Sequence, residues 1–313
     1  MSTNSEPADA VGRAPGAWAV VVNPTKLDDP EATKARFAEL CASHGWPEPR
    51  WYETTAEDPG HGQAVQAQRD GATLVCPLGG DGTVRGVASG LAGTDVAIGL
   101  LPGGTGNLLA RNLRLPIGDL DAALTVALTG RDVDIDVGEV RWDDGPPSVF
   151  LVMAGMGLDA EAMASVDEGL KRTVGWLAYM VSGAKALFKL GFAVRVQAER
   201  ERVVSLHARA VVVGNCGELT GGLALMPEAS LTDGKLDTVL ASPNSISAWL
   251  AVGLHVLTRH RRGHSALVTM VSESVSVDTR ERIEGQLDGD AVGPKRRMTC
   301  RVRPGALIVR LPA

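Results

Sequence analysis

The sequence predicts an α/β plus all-β fold: a mostly parallel, three-layer α/β domain over residues 17–137, then an antiparallel β-sandwich-like domain with inserted helices over 138–313. Three observations predict it. From Trp18 to Gly130, apolar runs alternate with amphipathic helical segments, the pattern of a parallel sheet covered on both faces. After about Asp136 the chain turns β-rich, with short alternating segments between turns. Polar or glycine-rich turns also recur at equivalent strand ends of the first half.

The elements follow in order. Residues 1–16, MSTNSEPADAVGRAPG, are small and polar; they read as a disordered leader and lack the basic-then-apolar pattern of a secretory signal. WAVVV from Trp18 is a buried strand, followed by a helix with Phe37, Leu40 and Cys41 on one face. A short strand around 51–54, a helix around 62–69 and the strand TLVCPL come next. After GGDGT a short helix is expected from Val84, then the strand DVAIGLL and the turn PGGTGN. The last helix carries Leu120, Ala123, Leu124, Ala127 and Leu128 on one stripe and stops at Gly130. Parallel sheets bind ligands beyond the carboxyl ends of their strands, so Asn23-Pro24, Gly79 to Thr83 and Gly103 to Asn107 are expected on one rim.

In the second half, SVFLVMA, GFAVRVQAE, VVSLHARAVVVGN, KLDTVLA, SVSVD and ALIVRLP read as strands, with helical stretches over 170–190 and 247–260.

Composition narrows the class. With 44% hydrophobic and 22% charged residues the chain is an ordinary globular sequence, and its net charge of −6 argues against a nucleic-acid partner. Cys41, Cys76, Cys216 and Cys300 are far apart and form no CxxC pair, which suggests neither zinc nor a disulfide framework and fits a reducing cytoplasm. No stretch approaches the roughly twenty apolar residues that span a bilayer, so any membrane contact is expected to be peripheral.

The stretch CPLGGDGTVRG carries the chemistry. Backbone without side chains lets N–H groups crowd a phosphate while an acid serves a metal; the same residues also suit a plain tight turn. Similarly, LDGD at 287–290 suits a hairpin tip.

VVNPTK, GGDGT, PGGTGNLLARNL, MGLDAE, LTDGKLD and LDGD, in this order, resemble the diacylglycerol kinase catalytic-domain family in its bacterial lipid kinase branch, related to sphingosine and ceramide kinases. GGDG alone is shared with NAD kinases and phosphofructokinases; the ordered set is specific. The resemblance implies ATP- and Mg²⁺-dependent phosphorylation of a lipid hydroxyl, diacylglycerol first, giving phosphatidic acid, with the site in a cleft between the two domains. Phosphoryl transfer of this kind needs donors around the phosphates, a metal and a base for the hydroxyl.

By resemblance, Asn23, Thr25, Gly79, Gly80, Asp81, Gly82, Thr83, Gly104, Thr105 and Asn107 bind the nucleotide, Asp81 beside the metal. Asp288 is the expected base, and Asp290, where many relatives have Glu, stands among the cofactor-binding residues and is able to tune Asp288 by like-charge repulsion. In LTDGKLD, Asp233 and the Leu236 carbonyl match the holders of a structural Mg²⁺. One departure matters: relatives often continue GGDGT, after one residue, with Asn-Glu, where this chain has Arg85-Gly86.

The expected partners are the lipid substrate, a second copy in a homodimer, and an anionic membrane surface. The surface would be met through Trp176, Met180, Leu187 and Phe188 and the basic run Arg259, His260, Arg261, Arg262. Two other readings share the motifs: a soluble NAD-kinase-like enzyme, and a nucleotide-binding regulator without catalysis.

Overall fold

The computed structural model describes residues 15–157, 191–199, 203–219, 223–243 and 267–313. Most of the leader, both long helical stretches of the second half and the run 259–262 lie outside the described residues. The chain forms two units, Met1–Ile135 with Ala306–Ala313, and Asp136–Gly305.

The first unit is built on β1 (Trp18–Val22), α1 (Pro30–Ser43), β2 (Arg50–Glu53), α2 (His61–Arg69), β3 (Leu74–Gly79), α3 (Asp81–Leu91), β4 (Ala97–Ile98), β5 (Leu101–Pro102), α4 (Leu108–Asn112) and α5 (Leu120–Thr129). The strands run parallel in the order β2, β1, β3, β4, with β5 continuing beside β3. β1 and β3 are buried along their whole length, which is why they read as unbroken apolar runs rather than alternating ones. Phe37 and Cys41 of α1 and Ala123, Leu124, Ala127 and Leu128 of α5 close one core with Trp18, Val20, Leu74 and Cys76. Asp29 and Asp119 cap these two helices, accepting the N–H groups of Ala32 and Ala122.

The second unit contains β6 (Arg131–Trp142), whose first residues belong to the first unit, then β7 (Pro147–Phe150), β8 (Met153–Met156), β9 (Phe192–Ala198), β10 (Val204–Ala208) and β11 (Ala210–Gly214). It continues with the short pair β12 (Glu218–Leu219) and β13 (Leu223–Ala224), then β14 (Leu236–Ala241), β15 (Leu267–Ser272), β16 (Ser274–Leu287) and β17 (Asp290–Leu311). The sheet order is β15, β14, β11, β8, β16, β17, and the pairs along it up to β17 are antiparallel. Ala154, Met156, Val211, Val213, Leu240, Val277, Leu287 and Met298 form its core.

Four expectations change. α3 begins at Asp81, three residues before Val84, because Gly80 is extended and the Val84 N–H already reaches the Gly80 carbonyl. DVAIGLL is two short strands rather than one, parted between Ile98 and Leu101. α4 was not expected at all, its five residues being too few for a periodic signal. ALIVRLP completes the first unit rather than the second: Ile308 and Val309 pair in parallel with Ala97 and Ile98 of β4. There Arg310, 1% exposed, is held by Asp132 at 2.7 Å and by the Ala127 carbonyl at the end of α5, and its guanidinium lies over the Trp46 ring. Among the described residues no helix is long and apolar enough to cross a membrane.

Candidate active site

The parallel strands bring their C-terminal ends to one edge of the first unit, and the three expected turns lie there. The Asn23 N–H reaches the Leu78 carbonyl at 3.0 Å, and the Gly103 N–H reaches the Gly79 carbonyl at 2.9 Å, so each turn is tied to the end of β3. After β1, the Asn23 Oδ1 accepts both the N–H (3.1 Å) and the hydroxyl (2.8 Å) of Thr25, opening a short 3-10 turn.

The two glycine turns touch through backbone. A Cβ on Gly104 would stand 2.5 Å from the Gly80 Cα, closer than any side chain allows, whereas a Cβ on Gly80 would meet Gly104 at an ordinary 3.6 Å. Asp81 fastens the pair: its Oδ1 accepts the Leu108 N–H at 2.6 Å, and a side chain on Gly106 would run into its Oδ2. Asn107 adopts a left-handed conformation (φ 49°), donates to the Gly104 carbonyl at 2.7 Å and accepts the Gly104 N–H at 3.1 Å. Its amide is thus engaged within the turn. Thr83 is buried in the first turn of α3, close over Gly79, while Thr105 is exposed at the tip of its own turn and Gly82 is half-buried in the same turn of α3 as Thr83.

The departure at Gly86 has a packing cause. A Cβ there would sit 2.8 Å from the Pro59 carbonyl oxygen, and one on Gly90 would sit 2.8 Å from that of His61. α3 therefore meets the start of α2 backbone to backbone, with no room for a larger side chain at Gly86.

In the second unit Asp288 and Gly289 form the two-residue tip between β16 and β17, with φ 47° and 93°, the positive angles that such a hairpin requires. Asp288 does more than turn the chain. It is 5% exposed, and its carboxylate accepts the N–H groups of Leu151 (3.1 Å), Val152 (2.9 Å) and Met153 (3.0 Å). Three convergent donors make a concave anion seat for the side chain itself. Burial, and then the charge of Asp288, push the Cys216 thiol far up. Asp290 is exposed, opposite Leu287 in the register.

The LTDGKLD loop is anchored by a residue that sequence reasoning missed. Asp136, 3% exposed, accepts the Gly234 N–H at 2.7 Å through one oxygen and the Gly305 N–H at 2.8 Å through the other. Asn215 then links this loop to the Asp288 seat, donating to the carbonyls of Asp136 (2.8 Å) and Leu151 (3.2 Å). Its signal was present but faint: a polar residue directly after the apolar run AVVVG. Asp233 accepts the Lys235 N–H at 3.0 Å, and the Leu236 side chain belongs to the core, leaving only its backbone for a metal. Burial, then the charges of Asp233 and Glu228, push the Asp237 carboxyl up to about 6. Among the described residues no group of three His, Cys, Asp or Glu side chains is arranged to hold a metal.

Comparison with known proteins places this geometry. Residues 17–140 match the diacylglycerol kinase catalytic domain, and residues 152–311 match the YegS C-terminal NAD kinase beta sandwich-like domain. The chain is 31% identical to the "Probable lipid kinase YegS-like" of Pseudomonas aeruginosa, over 77% of this chain and 77% of that protein. It is 27% identical to the diacylglycerol kinase of Bacillus subtilis, over 88% of this chain and 89% of that protein. It spans about half the length, 52%, of the uncharacterized protein sll0036 of Synechocystis, at 28% identity over 73% of this chain. A solved structure of a diacylglycerol kinase from Bacillus anthracis shares the fold, with a TM-score of 0.69 at 19% identity, covering 94% of this chain and 96% of that one. With a glycine-turn rim on a parallel sheet, a β-sandwich-like second unit and these matches, the chain belongs to the diacylglycerol kinase catalytic-domain family of YegS-like lipid kinases.

Proposed function

We propose that this protein transfers the γ-phosphate of ATP to the hydroxyl of diacylglycerol, giving phosphatidic acid. The observation that carries the reading is the rim of the first unit, where two glycine turns are held against each other with no side chain between them. Such a surface suits a polyphosphate, which needs backbone N–H groups at close range. A side chain at Gly104 would part the turns, so the absence of a Cβ there fits the nucleotide.

Asn23, Thr25, Gly79, Gly80, Gly82, Thr83 and Thr105 are the proposed nucleotide contacts. Asp81 and Asn107 shape the turn, and Asp81 also stands beside the metal-nucleotide. Mg²⁺ commonly binds one or two carboxylates plus substrate phosphates, so a site short of three acids fits it. Bound there, it would neutralise charge on the transferring phosphoryl group. A structural Mg²⁺ on Asp233 and the Leu236 carbonyl fits the crowding of Asp233, Asp237 and Glu228, a repulsion that a cation relieves. Asp288 is proposed as the base for the lipid hydroxyl, with Asp290 beside it, the acceptor coming from a membrane surface that the protein meets peripherally from the cytoplasm.

The experiment is direct: labelled ATP, Mg²⁺ and a mixed lipid extract are incubated with the protein, and the labelled product is identified. Label in phosphatidic acid is the expected result. Label in another lipid alcohol replaces the acceptor, and label in no lipid removes the kinase reading.

A further inference from the structure

We propose that Gln286 reads the acyl ester of the acceptor lipid, donating its carboxamide N–H to the ester carbonyl oxygen beside the hydroxyl that is phosphorylated. This rests on the lipid-kinase reading above. Gln286 stands directly before the core residue Leu287 at the end of β16, and its amide is bonded to Gly289 of the tip that carries Asp288. One strand repeat, roughly 7 Å, separates the two positions, a distance that a single glycerol backbone with its first ester group can bridge.

The orientation of the amide is fixed by the protein. Its Oε1 accepts the Gly289 N–H at 3.0 Å, a role that only the carbonyl end can fill, so the NH₂ end must point the other way. That end, Nε2, has no hydrogen-bond partner among the described residues although Gln286 is only 2% exposed. A buried donor left unpaired is costly, and a site that retains one next to a candidate base is built for an acceptor that arrives with the ligand. The cross-strand neighbour supports this: it is Gly155, and a Cβ there would stand 3.1 Å from Nε2 and 2.8 Å from the Val211 carbonyl oxygen. The amide therefore faces bare backbone. A donor without an acceptor selects an oxygen such as an ester carbonyl and disfavours the ammonium group of a sphingoid base.

The test compares 1,2-diacylglycerol with 1,2-dialkylglycerol, its ether analogue without carbonyl oxygens, in mixed micelles. The wild-type protein should favour the diacyl lipid in kcat/KM by about tenfold, the worth of one neutral hydrogen bond. Gln286→Met should lose that preference while the KM for ATP is unchanged. Gln286→Glu keeps an oxygen for the Gly289 N–H and, when ionised at alkaline pH, has no donor, so it should lose the preference there while the buried charge lowers the melting temperature. Equal use of both lipids by the wild type, or a preference that persists in Gln286→Glu at that pH, overturns the proposal. Phosphorylation of neither lipid overturns the diacylglycerol reading and this inference with it, whereas a preference lost only in the variants upholds both.

Discussion

Asp81, the first residue of α3, accepts the backbone N–H of Leu108, the first residue of α4, at 2.6 Å, so one carboxylate caps a helix that begins twenty-seven residues later in the chain. The sequence alone suggested that this acid serves the metal far more than the fold. The structure shows that it serves the fold as well, through this bond. Asp81→Ala should lower stability by about 1 kcal/mol, the usual cost of a lost cap. Asp81→Asn, which still has an acceptor oxygen, should melt near the wild type. Kinase activity should collapse in both, and parallel melting and phosphorylation assays separate the two effects.

The glycine turns are tight on one side only. Gly104→Ala would press a methyl group onto Gly80 and should reduce both stability and ATP affinity. Gly80→Ala fits sterically and should fold, so any loss of nucleotide affinity in that variant reports on the approach of phosphate to backbone. Titration calorimetry with ATP on both variants checks the pair.

Placing at Gly86 the acid that the family resemblance suggests there should harm this protein. Gly86→Glu forces a Cβ to within 2.8 Å of the Pro59 carbonyl, so α2 and α3 must part. A loss of roughly 1–3 kcal/mol is expected from overpacking, measured by urea unfolding, with no gain in activity.

Asp288→Asn should abolish lipid phosphorylation and leave ATP affinity nearly intact, because a positioned base contributes roughly 10²- to 10⁴-fold in rate. The amide also replaces a charged acceptor of three N–H groups with a neutral one, so stability should fall by about 1–2 kcal/mol. Undiminished turnover in the folded variant would move the base elsewhere, with Asp290 the next residue to change.

The backbone N–H groups of Arg296 and Arg297 hold the carboxyl of Asp143 below its ordinary range. A depressed acid stabilises the fold above its unfolded value and loses that contribution as pH falls through the folded one. Stability should therefore decline below about pH 4 more steeply in the wild type than in Asp143→Asn, whose side chain also tolerates the left-handed backbone there. Thermal melts from pH 6 to 2.5 compare the two.

Much of this was legible because it rests on local pattern. WAVVV and TLVCPL are apolar throughout since both their faces are covered, and the stripe Leu120, Ala123, Leu124, Ala127, Leu128 with Gly130 behind it marked α5 with its end. The turns after β1, β3 and β5 share one edge because parallel strands oblige them to. What the sequence hid are relations across distance. Nothing near Gly86 announces the Pro59 carbonyl, and nothing near Asp288 announces the amides of Leu151, Val152 and Met153. Asp-Gly-Asp is the hairpin tip that its residues suggest, and its aspartate is in addition held in a polar seat that the sequence did not show. Asp136 escaped notice because one acid in an alternating strand looks like any solvent-facing residue until its partners, Gly234 and Gly305, are known.

The pairing of Ile308 and Val309 with β4 sets an order of events during synthesis. A ribosome delivers residues 17–135 first, yet the sheet they form lacks a second neighbour for β4, and the carbonyls at the end of α5 lack Arg310, until residues 306–313 emerge. The first unit should thus remain an incomplete, protease-sensitive intermediate throughout translation of the whole second unit, and become resistant only once residues 306–313 have emerged. A nascent chain stalled before Ala306 is the form in which that vulnerability would be seen.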